Sequence, residues 1–295
     1  MNDKTFESGF VSIIGRPNVG KSALLNRLVG QKLAITTNKP QTTRNRILGV
    51  KNLEDCQIVF LDTPGIHKKE TKFNQYMTKI ALISYHEVDV ILLVIDNEKE
   101  EEIDTFILDK LKKIDTPLFL VINKIDLLKK EDVSAIEKVY RDCHSFKRIL
   151  PVSALTGENI DALLKEIKKE LPPGPMYFPD DMLTDRSESF MMAELIREKI
   201  IIHTKQEIPY SIAVVVDELE IEDALIRVKA VIYVEKDSQK GIIIGKGGKM
   251  LKRIGQEARK SIEDLFGSKL YLGLWVKVRK DWRKDDKSLK EFGYY

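Results

Sequence analysis

The sequence predicts two domains, a doubly wound α/β domain followed by a small α+β domain. Strand-like and helix-like segments alternate in the first part of the chain, as in a parallel sheet covered by helices. Residues 171–179 (LPPGPMYFP) contain four prolines and a glycine, which is typical of a linker. The later segments follow the order α-β-β-α-α-β. For a chain of 295 residues, ample for two domains, we predict domains at 1–172 and 188–280, a linker at 173–187 and a tail at 281–295.

The elements of the first domain are predicted from their apolar patterns. Residues 89–95 and 118–122 are nearly continuous apolar runs, which suit strands buried on both faces of a parallel sheet. Shorter runs predict four more strands, at 10–14, 46–51, 57–61 and 149–152. Helical spacing predicts helices at 21–29, 104–113, 133–142 and 160–171.

The second domain has a different order of predicted helices and strands. A helix is predicted at 189–205, a strand hairpin at 211–219 and 224–235, a basic helix at 249–266 and a last strand at 269–278. Between the hairpin and the basic helix, the apolar residues 242–244 are strand-like and lead into a glycine-rich loop.

Composition and charge narrow the class of protein. No apolar run approaches the roughly 20 residues of a membrane-spanning helix, and residues 1–10 resemble no signal peptide. The two cysteines, Cys56 and Cys143, form no disulfide framework and fit a reducing cytoplasm. The net charge is +3, yet residues 227–295 hold 18 Lys and Arg against 9 Asp and Glu. This asymmetry suggests a polyanionic partner for the C-terminal part, although a merely solvated face explains it about as well.

The sequence GRPNVGKS follows the first strand and opens the first helix, the required context for a phosphate-binding loop. In such a loop, backbone N–H groups and the helix N-terminus surround phosphate oxygens. Lys21 would reach the β- and γ-phosphates, and Ser22 would offer a hydroxyl to Mg²⁺. The predicted nucleotide-binding residues of this loop are Gly15, Arg16, Pro17, Asn18, Val19, Gly20, Lys21 and Ser22.

A second motif, Asp62-Thr63-Pro64-Gly65, ends the strand predicted at 57–61. A carboxylate at this position can hold the Mg²⁺ shell through water, and the Gly65 N–H can approach a γ-phosphate. By itself the motif could be a simple turn. About 40 residues after a phosphate-binding loop, the nucleotide reading is favoured.

The choice of base is predicted from Asn123-Lys124-Ile125-Asp126, which follows the strand at 118–122. Guanine presents two adjacent donors that an ionised Asp126 can accept, whereas adenine would leave this carboxylate unpaired. Lys124 can cover the base, and Asn123 can tie loops together. After the strand at 149–152, Ser153, Ala154 and Leu155 can bring a backbone N–H close to guanine O6.

These elements, in this order, resemble the TRAFAC-class GTPases. The resemblance implies a nucleotide-sensing switch loop within the polar stretch 36–45, and a threonine there that completes the Mg²⁺ shell. By similarity to relatives with a TTR sequence, Thr43 is the first candidate and Thr42 the second. The predicted switch residues are Gln41, Thr42, Thr43, Arg44 and Asn45.

The same resemblance bears on hydrolysis. In Ras-like proteins a glutamine after the second motif orients the attacking water, but here the position holds Ile66, so we expect slow intrinsic hydrolysis. Some relatives use an asparagine like Asn18 to bind K⁺, and we therefore predict acceleration by K⁺. Arg16 or Arg44 could supply charge instead, with nothing to choose between them, and we take His67 as a solvated loop residue.

The sequence GIIIGKGGKM resembles the loop of the K-homology RNA-binding domain, and the element order resembles its type II variant. A tight turn between core elements is the plainer explanation, but the basic helix and the charge of the C-terminal part favour RNA. The predicted RNA-binding residues are Ile243, Ile244, Gly245, Lys246, Gly247, Gly248, Lys249, Lys252 and Arg253. Ile254 can also shape a base-binding groove. Trp282 could stack on a nucleotide, although a role in pinning a solvated tail ranks slightly higher.

A GTPase domain followed by a type II K-homology domain resembles the Era family of bacterial ribosome-assembly GTPases. GRPNVGKS, QTTRN, DTPGIHKK, NKID, SAL and IIIGKGGKMLKRIG all fit, so the resemblance covers almost the whole chain. It implies binding near the 3′ end of small-subunit ribosomal RNA, a role in small-subunit assembly, and some contact with the inner face of the membrane. GTP or GDP and Mg²⁺ are the expected ligands, and we expect a cytoplasmic monomer.

Two other readings compete with an RNA-binding GTPase. A P-loop ATPase or small-molecule kinase would share the phosphate-binding loop, but Asn123-Lys124-Ile125-Asp126 argues against it. A plain RNA-binding module with a degenerate nucleotide site is opposed by the intact Lys21, Ser22 and Asp62.

Overall fold

The structure, a computed structural model, describes residues 5–65, 72–83, 88–96, 101–112, 114–222 and 225–294. The chain divides into two compact units. The first consists of residues 1–36, 43–70 and 74–185, and the second of residues 37–42, 71–73 and 186–295. The predicted fold class is confirmed: an α/β nucleotide-binding fold precedes a small α+β domain.

The first unit is built on a six-stranded sheet. Its strands are β1 (Glu7–Gly15), β2 (Ile47–Leu53), β3 (Cys56–Asp62), β4 (Val90–Ile95), β5 (Leu118–Ile122) and β6 (Arg148–Pro151). They lie in the order β2-β3-β1-β4-β5-β6, with only the β2–β3 pair antiparallel among the described strands. Every residue of β3, β4 and β5 is buried, because helices cover a largely parallel sheet on both faces.

The described helices of the first unit are α1 (Lys21–Val29), α2 (Lys72–Ile83), α3 (Glu101–Leu111), α4 (Lys130–Cys143) and α5 (Ile160–Lys168). Helix α2 was not among the helices predicted from the sequence. Phe73, Met77 and Ala81 are buried at intervals of four residues, and this helical spacing was the pattern that could have revealed it. Helix α5 ends before residue 171, three residues earlier than predicted.

The predicted linker is fixed to the first unit over much of its length. Gln57, a buried residue of β3, donates from Nε2 to the Phe178 carbonyl at 2.8 Å and accepts from the Tyr177 and Phe178 N–H groups at Oε1. The Tyr177 ring lies 5.0 Å from that of Phe10, between centroids. The Val50 N–H donates to the Leu183 carbonyl at 2.9 Å. The segment therefore packs as part of the first unit up to residue 185.

The second unit contains a three-stranded sheet covered by helices. Its described helices are α6 (Glu188–His203), α7 (Ile208–Ser211), α8 (Asp237–Ile244), α9 (Lys249–Phe266) and α10 (Asp286–Glu291). Its strands are β7 (Ala213–Glu222), β8 (Leu225–Val234) and β9 (Lys269–Val278), in the order β7-β8-β9. The β7–β8 pair is antiparallel and the β8–β9 pair parallel.

The strand-like reading of residues 242–244 was wrong, since these residues form the end of α8. Three consecutive isoleucines favour a strand locally, but α8 gains its stability by burying Ile243, which has no exposed surface, in the core of the unit. Within the described parts of the chain, no helix combines the length and apolar character needed to span a bilayer.

Candidate nucleotide and nucleic-acid sites

The predicted nucleotide motifs lie at the ends of neighbouring parallel strands. Gly15 ends β1 and Asp62 ends β3, while Asp96 and Asn123 directly follow β4 and β5. Because the carboxyl ends of parallel strands lie at one edge of a sheet, these residues share the edge where α/β folds bind ligands.

The three predicted Mg²⁺ ligands come together at this edge. Ser22 Oγ lies 2.6 Å from Thr43 Oγ1 and donates to Asp62 Oδ2 at 2.7 Å. Thr42, the second candidate, instead bonds with Thr37 Oγ1 at 2.6 Å and donates to the Lys39 carbonyl. This arrangement favours Thr43 as the threonine ligand.

The other oxygen of Asp62 shows that these residues fit a divalent cation. Asp62 Oδ1 is buried and has no hydrogen-bond partner. Burial raises the pKa of Asp62 to about 6, although the nearby Lys21 ammonium acts in the opposite direction. A buried carboxylate with an unsatisfied oxygen, beside two hydroxyls, is a suitable donor set for Mg²⁺, which prefers oxygen ligands and keeps several waters.

Lys21 is held by the loop that it serves. Its Nζ donates to the Arg16 carbonyl at 2.7 Å and to the Gly15 carbonyl at 3.1 Å. Burial lowers the pKa of Lys21 to about 8, with Asp62 partly opposing this effect. A bound phosphate group would raise the pKa of Lys21 again, because its negative charge favours the protonated amine.

The second motif approaches the phosphate-binding loop closely. A Cβ on Gly65 would lie 2.9 Å from the backbone of Pro17, so only glycine fits there. Thr63 is fully buried and donates from Oγ1 to the Ile13 carbonyl at 2.9 Å, which gives it a structural role. Ile66 and His67 lie outside the described residues.

Asn123 joins the loops around the predicted base site. Its Nδ2 donates to the Val19 carbonyl at 2.8 Å, and its Oδ1 accepts from the Ala154 N–H at 3.0 Å. Asp126 is exposed, and Ser153 Oγ donates to its Oδ1 at 2.5 Å. The side chain of Asp126 is thus oriented by the segment that also contains Ala154 and the exposed Leu155.

Asp96 is a site residue that the sequence analysis missed. It is 4% exposed and forms ion pairs with Arg16 at 3.2 Å and with Lys124 at 2.6 Å. Asp104 on α3 holds the same guanidinium at 3.0 Å. Asp96 therefore links the phosphate loop to the base-recognition loop. The pattern that could have found it is its position directly after a fully apolar strand, which Asn123 shares.

The structure changes the role predicted for Arg16. Its guanidinium is 1% exposed and engaged by two carboxylates, so it braces the loop and does not provide the free charge considered above. Asn18 is exposed, with a positive φ of 66°. Arg44 is buried, and Asn45 accepts from the Tyr76 hydroxyl at 3.1 Å.

Part of the predicted switch loop belongs to the second unit. Residues 37–42 cluster there, and Gln41 has a φ of 60°. The Arg197 guanidinium on α6 donates to the Thr42 carbonyl, and the Lys39 ammonium donates to the carbonyls of Ile201 and Thr204. Helix α6 and the residue after it therefore hold residues 37–42 through one backbone carbonyl and one lysine side chain of that segment.

The glycine-rich loop has the conformation expected of a backbone-binding element. Gly247 and Gly248 have φ values of 60° and 77°, and a Cβ on either would meet nothing within 4 Å. The loop opens α9, and the cationic side chains around it reach solvent. These exposed cations are Lys246, Lys249, Lys252 and Arg253.

Two of the apolar residues predicted to contact RNA are corrected. Ile243 and Ile254 have no exposed surface, because each occupies the inward face of its helix. Ile242, which is 48% exposed, is the isoleucine of α8 that reaches solvent, and Ile244 is half-buried. Trp282 is also fully buried and donates to the Ser211 carbonyl at 2.9 Å, so it cannot stack on a nucleotide.

Comparison with known proteins agrees with this geometry. A family model described as "50S ribosome-binding GTPase" matches residues 10–124, and a KH domain model matches residues 207–283. GTPase Era of Syntrophus aciditrophicus (strain SB) is 54% identical over 292 residues, covering 98% of this chain and 95% of that protein. GTPase Era of Lactobacillus helveticus (strain DPC 4571) is 51% identical, covering 100% of this chain and 98% of its own.

Solved structures give the same result. Era in complex with MgGDPNP and nucleotides 1506–1542 of 16S ribosomal RNA has a TM-score of 0.93 and 41% identity, covering 98% of this chain and 99% of that one. A variant of Aquifex aeolicus Era bound to GDP and AlF₄⁻ matches with the same TM-score and identity. With a relative more than half identical over nearly its full length, this chain belongs to the Era family of GTPases.

Proposed function

We propose that this protein is a GTP-hydrolysing switch that binds the 3′ region of small-subunit ribosomal RNA and acts in assembly of the small subunit. The observation that carries the proposal is the convergence of Ser22, Thr43 and Asp62 in a chain that also presents an exposed glycine-rich loop. The solved relative with 16S ribosomal RNA supports the small subunit as the partner.

Nucleotide binding follows from the residues at the sheet edge. The phosphate loop and Lys21 would surround the β- and γ-phosphates, and Asp126 would accept from the guanine edge. Ser22, Thr43 and, through water, Asp62 would hold Mg²⁺. The bound ion would neutralise charge on the phosphates. Asn123 and Asp96 would hold the phosphate-binding loop and the base-recognition loop in fixed relative positions.

A direct test of this function combines two titrations. GTP, ATP and XTP compete for the protein with a fluorescent GDP, and a labelled RNA of the 3′ region of small-subunit rRNA is titrated separately. We expect GTP alone among the triphosphates to compete, and the RNA to bind. Competition by ATP at equal concentration would contradict the base assignment, and absence of RNA binding would contradict the ribosomal role.

Hydrolysis should depend on a monovalent cation. Ile66 cannot orient a water by hydrogen bonding, so another source of transition-state stabilisation is needed. The exposed Asn18 is our candidate K⁺ ligand in the phosphate loop. We expect faster hydrolysis in KCl than in NaCl at matched ionic strength, measured as phosphate release. Asn18→Ala should remove this difference, and equal rates of the wild type in both salts would refute the proposal.

We further propose that the nucleotide state controls RNA affinity. The support is that residues 37–42, next to the Mg²⁺ candidate Thr43, cluster with the unit that contains the glycine-rich loop. GTP would order the segment around Thr43, and the change would pass through the carbonyls that Arg197 and Lys39 hold.

RNA affinity should therefore differ between GDP and a non-hydrolysable GTP analogue, by a factor of about 5–150 as is typical of coupled sites. Fluorescence anisotropy of a labelled RNA measures both affinities. Lys39→Met keeps most of the unbranched side chain but loses the ammonium group, and should bring the ratio toward one. Identical RNA affinities in both nucleotide states of the wild type would exclude the coupling.

A cytoplasmic location, peripheral contact with the inner face of the membrane and a monomeric state are also part of this proposal. They rest on the family resemblance, and sedimentation with vesicles of anionic lipid and size-exclusion chromatography would test them.

A further inference from the structure

The outer face of the sheet in the second unit carries two exposed aromatic side chains on β9, although on β8 Val231 is buried and Tyr233 packs against Phe292 at 4.6 Å between ring centroids. Along β8, the alternate residues Ile226, Val228, Ala230 and Ile232 are buried in the core, so their neighbours point to the opposite face. Helices α6 and α9 pack against β7 and β9. On the outer face of β9, Tyr271 is 62% exposed and Trp275 is 48% exposed.

The two rings lie close to each other because of the glycine between them. A Cβ on Gly273 would lie 2.8 Å from Cη2 and 2.9 Å from Cζ3 of Trp275. The outer edge of the six-membered ring of the indole therefore lies against Gly273, and Trp275 is still 48% exposed. Since two residues span about 7 Å of a strand, the indole reaches to roughly that distance from Tyr271. Tyr271 and Trp275 are therefore two exposed aromatic side chains on one face of β9, on either side of Gly273.

Charge surrounds this pair on the β9 side. Lys269 and Lys277 are exposed and lie two residues beyond each ring, on the same face of the strand. On β8, Arg227 lies opposite Tyr271, and Lys229 lies opposite Gly273. Acidic residues occupy β7, the far strand, where Glu218 pairs with Lys229 and Glu222 with Arg227, each at 2.5 Å. On β9, neither Lys269 nor Lys277 forms an ion pair within the described part of the chain, although the Glu263 carboxylate lies near Lys269.

Such a surface has the chemistry that single-stranded RNA requires. Bases stack on exposed aromatic rings irrespective of sequence, while lysines beside them meet the phosphates. An apolar protein surface would leave the neighbouring lysines without partners, so the charge beside the rings favours a polyanion. Strand β9 is also in contact with α8 and α9, the helices on either side of the glycine-rich loop. The glycine-rich loop and β9 therefore belong to the same compact unit, and the exposed rings lie on the face of β9 opposite to these helices.

We propose that the outer face of β9 is a second binding site for single-stranded RNA, on which Tyr271 and Trp275 stack bases while Lys269 and Lys277 contact phosphates. The site extends the RNA binding proposed above and rests on it. It binds the part of an RNA strand that lies beyond the segment at the glycine-rich loop, so it contributes only to the affinity for longer strands.

Tryptophan fluorescence of the full-length protein tests the site directly. The chain has two tryptophans, and Trp282 is fully buried, so a change on RNA binding reports Trp275. The probe is an unstructured 20-nucleotide RNA of U and C, with a 6-nucleotide RNA as the short control. We expect the 20-mer to quench the emission, and Trp275→Phe, which retains a ring, to bind the 20-mer but lose the quenching.

Affinity measurements separate stacking from packing. Trp275→Leu still covers Gly273 but cannot stack, and should weaken 20-mer binding about tenfold, with Tyr271→Leu adding a similar factor. Neither should change 6-mer binding. Lys246→Asp with Gly247→Asp blocks the loop, and this variant should still show quenching by the 20-mer at higher concentration.

Three outcomes overturn the second site: no quenching by the 20-mer, unchanged 20-mer affinity in Tyr271→Leu/Trp275→Leu, or quenching only by a small-subunit protein. In the last case the face binds protein. If the wild type binds neither of these RNAs nor the RNA of the 3′ region of small-subunit rRNA, the RNA-binding function itself fails. If the 6-mer binds and the 20-mer binds no better, only the second site fails.

Discussion

Replacing Asp126 with asparagine should reverse the base preference of the nucleotide site. GTP affinity should fall on the order of 10⁴-fold, because the amide presents a donor to the guanine donors, while xanthosine triphosphate, which offers an acceptor there, should gain. Ser153 Oγ can still donate to the asparagine oxygen, so the side chain should keep its orientation. Isothermal titration calorimetry with each nucleotide in the presence of Mg²⁺ measures the two affinities.

The control for this substitution is Asp142→Asn, since Asp142 is also exposed and lies on α4, away from the motifs. It should bind GTP as the wild type does. Undiminished GTP affinity in Asp126→Asn, with a folded protein by circular dichroism, would remove the basis for assigning guanine to this site.

Asp96→Asn should lower the free energy of unfolding by about 1–3 kcal/mol, because Arg16 keeps its ion pair with Asp104 and Lys124 is partly exposed. The substitution keeps the shape of the side chain but leaves the guanidinium of Arg16 and the ammonium of Lys124 without this carboxylate. Urea denaturation of the nucleotide-free protein measures the loss. GDP with Mg²⁺ should recover part of it, because a ligand that binds only the folded state stabilises it.

Asp109→Asn provides a matched comparison on α3. Its ion pair with Lys112 is exposed on both sides, so its loss should change stability by less than about 1 kcal/mol. If Asp96→Asn were as mild as Asp109→Asn, the link between the two nucleotide loops would carry little of the stability of the first unit.

Much of this fold was predictable because the first unit is strongly patterned. Strands β4 and β5 are apolar throughout since both faces are buried, and each motif follows a strand end. The helix at 72–83 was missed because its short buried stripe of Phe73, Met77 and Ala81 alternates with polar and β-branched residues. Local composition also misled at Ile242 to Ile244, where packing of Ile243 in the core overrode strand propensity.

The site was predictable as far as its motifs extend. The motifs reveal Ser22, Asp62 and Asn123, because each has a fixed place in a recognisable spacing. By contrast, Asp96 acts through partners 80 and 28 residues away. Such distant pairings leave no periodic trace in one sequence. The attachment of the proline segment to Gln57 was hidden for the same reason, whereas the burial of Trp282 agrees with the pinning role that was ranked higher.

The aromatic contacts of the second unit bear on the order in which the chain matures. Trp282 and Tyr294 pack edge-on against Phe73, at 5.8 and 5.2 Å between ring centroids, and Phe292 joins the same cluster. These contacts join residues that are translated more than 200 positions apart. During synthesis the early sheet has its partners within residues 5–185, but the second unit must wait for the last residues of α10 and beyond. On a ribosome stalled before Trp282, the nascent chain should therefore bind nucleotide but should not yet bind RNA.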